Sequence, residues 1–196
     1  MKLIIQSIRQ TLVWMVITGV LYPLAMTVCC QLAFPHQANG SLIERDGKIV
    51  GSELMAQQFT GAKYFWPRPS AASYGTGPTG LNASSGSNFG PTSAQLQTNV
   101  RTNAKALRDA GKLPADAPVP ADLVYASASG VDPHISPEAA RFQISRVAGA
   151  RGMSEDRVRA LVESSIEPPQ WGFLGEPRVN VLLLNLALDA ADAKKS

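Results

Sequence analysis

The hydrophobic pattern of the chain changes character at Phe34. Leu12 to Phe34 carries no formal charge over about 23 residues, and a helix rising about 1.5 Å per residue would make it about 34 Å long, close to the hydrocarbon thickness of a bilayer. Trp14, Val16, Ile17, Val20 and Leu24 would ring its whole circumference, which a water-exposed helix does not tolerate. A single transmembrane helix over residues 11–34 is therefore predicted. Pro23, in mid-span, removes a backbone donor and should kink it, a defect that a neighbouring helix would cover. A cleaved signal peptide shares the charged start and apolar middle, but the run is long and no clean small-x-small site follows it. A lipoprotein anchor at Cys29 would need a smaller residue than Val28 before it.

After the span the pattern breaks into short elements. Two apolar runs flank Asp46-Gly47 between Gly40 and Leu54, the signature of a β-hairpin with a tight turn. Tyr64-Phe65-Trp66, set against Pro67 and Pro69, reads as an extended segment packed on the core. Leu96, Val100, Ala104 and Leu107 recur at helical spacing, with Gly111 as a stop. Ser136-Pro137-Glu138 opens a second helix with a hydroxyl cap, a proline at the first position and a carboxylate at the positive end of the dipole. Ala140, Ile144 and Val147 would be its buried side. Ser154-Glu155-Asp156 opens a third, with Val158, Leu161 and Val162 as the stripe and Pro168-Pro169 as the stop. Val179 to Leu184 reads as a short buried strand, and the end of the chain, with Lys194 and Lys195, as a solvated tail. The predicted fold class is α+β: one N-terminal transmembrane helix followed by one soluble extracytoplasmic domain.

Charge sets the orientation. Lys2 and Arg9 precede the span, whereas Glu44, Arg45, Asp46 and Lys48 are the first charges after it and cancel. Positive flanks stay inside, so residues 1–10 are expected in the cytoplasm and residues 35–196, in a bacterium with two membranes, in the periplasm. That outer part holds sixteen of the eighteen Lys and Arg residues and all fifteen acids, a formal balance of +1. Without a basic stripe it is not a nucleic-acid binder. Cys29 and Cys30 are adjacent and inside the span, so the outer domain has neither a disulfide nor a cysteine metal site. His36 and His134 are the only histidines and lack a spaced ligand motif.

Two loops hold the candidate chemistry. Ser70 to Pro91 is uncharged and rich in Gly, Ser, Asn and Thr, longer than a compact domain needs for a connection. Its Gly75-Thr76-Gly77-Pro78-Thr79-Gly80 matches the dinucleotide fingerprint in form, but prolines break the strand and helix that the fingerprint requires. The second loop, Asp122 to His134, gathers Ser127, Ser129, Asp132 and His134. A hydrolase using Ser127 or Ser129 with His134 and Asp132 is one reading, though there is no nucleophile elbow and Pro133 separates the acid from the base. The local alternative is capping: Asp132 before proline bonds its own turn, and His134 bonds near the helix start at Ser136. A third reading is a protein-binding surface, since uncharged loops cost little to desolvate. Its candidate contacts are Ser87, Asn88, Ser127, Ser129, Asp132 and His134, with Tyr22 and Pro23 in the span.

Several runs carry a resemblance over nearly the whole chain. They are Tyr22-Pro23-Leu24, Tyr64-Phe65 with Arg68-Pro69-Ser70-Ala71, Gly86 to Thr92, Asp122 to Gly130, and Pro177 to Val181 with Leu184 to Leu188. The most specific is Asp132-Pro133-His134-Ile135-Ser136-Pro137-Glu138-Ala139-Ala140. Together they resemble the C subunit of the Kdp potassium-transporting ATPase. Tyr125 stands where that family suggests a small Thr, and Phe89 where it suggests Leu. The resemblance implies an accessory subunit in a bacterial inner-membrane complex for ATP-driven potassium uptake. Its implied partners are a channel-like potassium-selective subunit, a P-type ATPase subunit, a small single-span subunit and the lipid bilayer. ATP and potassium would be handled by the complex, with no cofactor bound by this chain. The family is described as needed for assembly and as a catalytic chaperone raising nucleotide affinity. The chain lacks the Asp-Lys-Thr-Gly phosphorylation motif and so is not the ATPase subunit itself.

Overall fold

The computed structural model describes residues 1–71 and 84–193. The glycine-rich fingerprint at Gly75–Gly80 and the two lysines near the C-terminus lie outside these residues. The chain separates into two compact units, Met1–Ser52 and Glu53–Ser196.

The first unit is built on one helix, Lys2–Ala33, none of it buried within the protein. Among the described residues it alone is long and apolar enough to cross a membrane. It consists of α1 (Lys2–Val16), a π turn at Ile17–Leu21, and α2 (Tyr22–Ala33). The π turn accounts for Pro23. A proline ring collides with the carbonyl four residues back, here that of Gly19, and a turn widened by one residue moves that carbonyl aside. The Tyr22 N–H accordingly donates to Ile17 O, five residues earlier. The Thr18 and Thr27 hydroxyls donate to Trp14 O (2.7 Å) and Pro23 O (2.8 Å), so neither threonine hydroxyl faces lipid unpaired. A short α3 (Pro35–Ala38) leads to the expected hairpin, β1 (Leu42–Arg45) and β2 (Lys48–Ser52), paired antiparallel. Asp46 (φ 52°) and Gly47 (φ 72°) make its turn, with the two positive φ angles that a two-residue hairpin of this hand demands.

In the second unit, α4 (Ala94–Gly111), α5 (Pro137–Phe142), α6 (Ile144–Arg151), α7 (Glu155–Ser164) and α8 (Val181–Ala193) surround a small antiparallel sheet. The sheet has the order β3 (His134–Ile135), β5 (Arg178–Asn180), β4 (Ile166–Glu167). Ser93, Ser136 and Ser154 cap α4, α5 and α7, their hydroxyls accepting from the N–H groups of Leu96, Ala139 and Arg157. Ala140, Ile144, Val147, Val158 and Val162 are buried as the helical spacing predicts, together with Phe65, Leu184 and Leu188. The α+β reading holds.

Three boundaries differ from expectation. The helix opened by Ser136 breaks at Gln143, so α5 and α6 are separate, and the buried Gln143 amide bonds both Trp66 and the Ala139 carbonyl of α5. The third helix ends at Ser164, before the two prolines, because Ile166 and Glu167 leave it to pair with Val179 and Arg178. The third difference is the largest. Val179 to Leu184 is not a strand: β5 stops at Asn180 and α8 begins at Val181. Asn180 explains the switch. Its side-chain oxygen accepts from Leu183 N–H (3.2 Å), a helix cap inside an apolar run that by composition suits either state. Val181, Leu184, Asn185 and Leu188 then share the buried face at helical spacing, and α8 runs to Ala193, while the tail at Lys194 and Lys195 lies outside the described residues.

Candidate functional site

The extended segment Tyr64–Pro67 anchors the loops, and two buried amides replace the sheet it lacks. Asn185 of α8 accepts from Phe65 N–H (2.8 Å) and donates to Phe65 O (3.0 Å). Gln143 does the same for Trp66, at 2.8 and 3.2 Å. Each amide satisfies both backbone groups of one residue, as a neighbouring strand would. The Arg146 guanidinium lies over the Trp66 ring at 4.1 Å and donates to Tyr64 O at 3.0 Å. Arg151, its side chain almost fully buried, stacks on Tyr64 and binds the carboxylates of Asp189 (2.8 Å) and Asp192. Burial alone would lower the Arg151 pKa, but the two carboxylates outweigh it and raise the value. The aromatic triplet is thus core and framework, as read from the sequence.

This framework fixes Arg68 to Ser70, and the Ser127 loop is laced onto it. Ser70 and Ser127 form a parallel bridge, Ser127 N–H donates to Pro69 O (2.9 Å), and the Ser70 hydroxyl donates to Gly130 O (2.7 Å). From the other side, Ser85 N–H and the Ser84 hydroxyl both donate to Ser129 O, at 3.0 and 2.9 Å. Gly86 lies so close that a Cβ there would sit 2.9 Å from Ala128 O. The hydroxyls of Ser127 and Ser129 are 3.1 Å apart and accept from the N–H groups of Ser129 and Val131 respectively. Three loops are therefore fastened together by their own small polar groups.

Asp132 closes the loop. One carboxylate oxygen accepts from His134 N–H (3.0 Å), the turn expected of Asp before proline, and the other accepts from Arg68 Nη1 (2.9 Å). Burial pushes the Asp132 pKa up, but the His134 ring and N–H and the Arg68 guanidinium outweigh it, leaving the carboxyl below its usual value. His134 is not the group at the helix start: Ser136 N–H donates instead to the Asp122 carboxylate (2.7 Å). The His134 ring lies 3.7 Å from Asp132, and His134 itself belongs to β3, paired with Asn180. Among the described residues neither serine hydroxyl bonds the imidazole, and both oxygens of Asp132 are already engaged. This geometry does not support the hydrolase reading.

Beside the laced loops lies a cleft of about 460 Å³, bounded by one face of α4, Pro69–Ala71, Gly86–Phe89 and Val124–Ala126. Its polar groups are the amides and hydroxyls of Ser70, Ser87, Asn99, Thr102 and Asn103, with no charged side chain lining it among the described residues. Ser87 thus joins Ser127 and Ser129 in one neighbourhood, while Asn88 (φ 54°) is exposed at its turn. Phe89 lines the cleft, and Tyr125, exposed, lies between two of its lining residues. Tyr22 and Pro23 belong to the other unit, both exposed on the spanning helix.

The family model described as "K+-transporting ATPase, c chain", KdpC, matches residues 4–190. The chain belongs to the KdpC family. A potassium-transporting ATPase KdpC subunit from Methylococcus capsulatus is 57% identical over 187 residues, covering 94% of this chain and 95% of that protein. One of the same name from Burkholderia cenocepacia is 56% identical, covering 90% of each, and one from Geobacter metallireducens is 52% identical, covering 93% and 95%.

Several residues that build the site carry little local signal in the sequence. Asn103 donates to Val124 O (3.0 Å) and ties α4 to the loop. It falls among Val100, Ala104 and Leu107 on the inward side of α4, and an amide in that position needs a partner. Arg68, Gln143 and Asn185 gave no such local sign, because their partners are distant in sequence.

Proposed function

We propose that this KdpC-family chain is a non-catalytic accessory subunit of an ATP-driven potassium-uptake complex. It is held in the inner membrane by residues 11–34, with residues 1–10 in the cytoplasm and 35–196 in the periplasm. The observation that carries this reading is the use of Ser127, Ser129 and Asp132: their polar groups hold loops together and are not arranged around a reacting atom. A preorganised loop surface rich in hydroxyls and amides, with the Asp132 carboxylate already paired to Arg68, suits docking, because little unpaired charge is desolvated and little chain is ordered on binding. The relatives' names supply the setting, a potassium-transporting ATPase of which each is a subunit. The partners are a channel-like subunit, the P-type ATPase subunit, a small single-span subunit and the surrounding lipid. Ser87, Asn88, Ser127, Ser129, Asp132 and His134 form or shape the outer contact, and Tyr22 and Pro23 the contact within the membrane. ATP and potassium are handled by the complex. With the domain outside and ATP inside, a chaperone effect on nucleotide affinity must pass through the span or the partners.

Co-isolation tests this reading. Expressed with the other subunits, the chain should purify as a stoichiometric member of the complex. Exchange of Ser87-Asn88 for two bulky acidic residues should weaken its retention without unfolding the domain. Stoichiometric retention of that variant would remove these loops from the interface.

A further inference from the structure

Between α7 and β5 the chain projects a turn, Gln170–Leu174, whose apolar side chains the fold leaves uncovered. Trp171 is 84% exposed, Phe173 73% and Leu174 45%. The turn is rigid by its own hydrogen bonds: Gln170 and Leu174 exchange N–H···O bonds of 2.9 Å each, Phe173 N–H donates to Gln170 O (3.2 Å), and Gly172 N–H to Pro169 O (3.0 Å). Trp171 has φ 52° and Gly172 φ 83°. A positive φ suits Gly or Asn and penalises a bulky aromatic, so the local backbone gives no reason for tryptophan. Nor does the core, which it does not enter. The side chain is accounted for only by what it would meet outside.

We infer that this turn is an anchor that inserts Trp171 and Phe173 into an apolar pocket on another subunit of the potassium ATPase complex. The inference rests on the assembly reading above and adds a second contact, distinct from the serine loops. Charge decides between a protein pocket and a lipid surface. No Lys or Arg occurs between Arg159 and Arg178, whereas Glu163, Glu167 and Glu176 do. Glu163 and Glu167 are paired to Arg141 (2.7 Å) and Arg178 (2.9 Å), which leaves the rim of the turn neutral to weakly acidic. Segments that settle on anionic bilayers carry cations beside their aromatics. Membership in a family of ATPase subunits supplies a protein partner, and rigid exposed tryptophans are the side chains that dominate such contacts.

The test uses the full chain in the assembled complex. A photo-crosslinking phenylalanine at Phe173 in membranes should capture another ATPase subunit. Trp171→Gly fits the positive φ and keeps the turn, so the melting temperature should be unchanged or higher while dissociation from the purified complex speeds at least about tenfold. Trp171→Phe should recover most of the retention. Capture of lipid alone, or of nothing, in an intact complex would overturn the anchor, as would wild-type retention of Trp171→Gly. If the unmodified chain itself fails to co-isolate, the assembly reading falls first and the anchor with it.

Discussion

A methyl group has no room at Gly86, where a Cβ would meet the backbone oxygen of Ala128 at 2.9 Å, whereas at Gly90 it would meet nothing within 4 Å. Gly86→Ala must push two loops apart and should cost about 1–3 kcal/mol in urea unfolding, while Gly90→Ala should stay within about 0.5 kcal/mol. Asp132 offers a test in pH. Its folded pKa is below the usual 3.8, so its contribution is full above that value and fades as pH falls through the lower folded one. Asp132→Asn keeps the oxygen that accepts from His134 N–H and loses the charge facing Arg68. It should lower stability by about 0.5–2 kcal/mol at neutral pH, and the gap to wild type should close in acid. A gap independent of pH would show that the charge contributes nothing. At this scale the sequence was legible where chemistry is local: the Asp132-Pro133 turn and the serine caps follow from neighbours. The Arg68–Asp132 pair and the tight approach of Gly86 join segments far apart in the chain, and no local pattern announces them.

The elements depend on two amides. Asn185 is buried and holds both backbone groups of Phe65, so Asn185→Leu would leave a buried donor and acceptor without partners. A loss of about 2–4 kcal/mol is expected, against less than about 1 kcal/mol for Asn88→Ala at an exposed turn. Thermal unfolding of the two variants distinguishes them. The start of α8 is ambiguous in sequence for a related reason: an apolar run of Val and Leu suits a strand or a buried helix, and only the Asn180 cap and the spacing of Asn185 favour the helix. The hairpin and the caps of α4, α5 and α7 were legible because turns and caps have short-range causes. In the span, the proline was legible but its consequence was not. The π turn at Ile17–Leu21 accommodates the ring, and Pro23→Leu should restore regular α geometry and weaken retention with the partner subunits. Undiminished co-purification of that variant in detergent would remove Pro23 from the recognition surface.

For the whole molecule, charge placement and the apolar span predict which side of the membrane each part occupies. A cysteine at Ser85, exposed beside the laced loops, in a background without Cys29 and Cys30, should react with an impermeant reagent once the outer membrane alone is opened. Reaction only after the inner membrane is broken would reverse the orientation and restore direct contact with nucleotide. The central claim is that the Ser127–His134 loop shapes an assembly surface and performs no bond chemistry. It is tested most directly by potassium-stimulated ATP hydrolysis of the purified complex carrying Ser127→Ala and His134→Ala together, normalised to the amount of this subunit retained. Hydrolysis per assembled complex within about twofold of wild type is the predicted result, since the lost groups only fasten loops; a fall of about a hundredfold or more in a fully assembled complex, the scale of a lost general base or nucleophile, would contradict it.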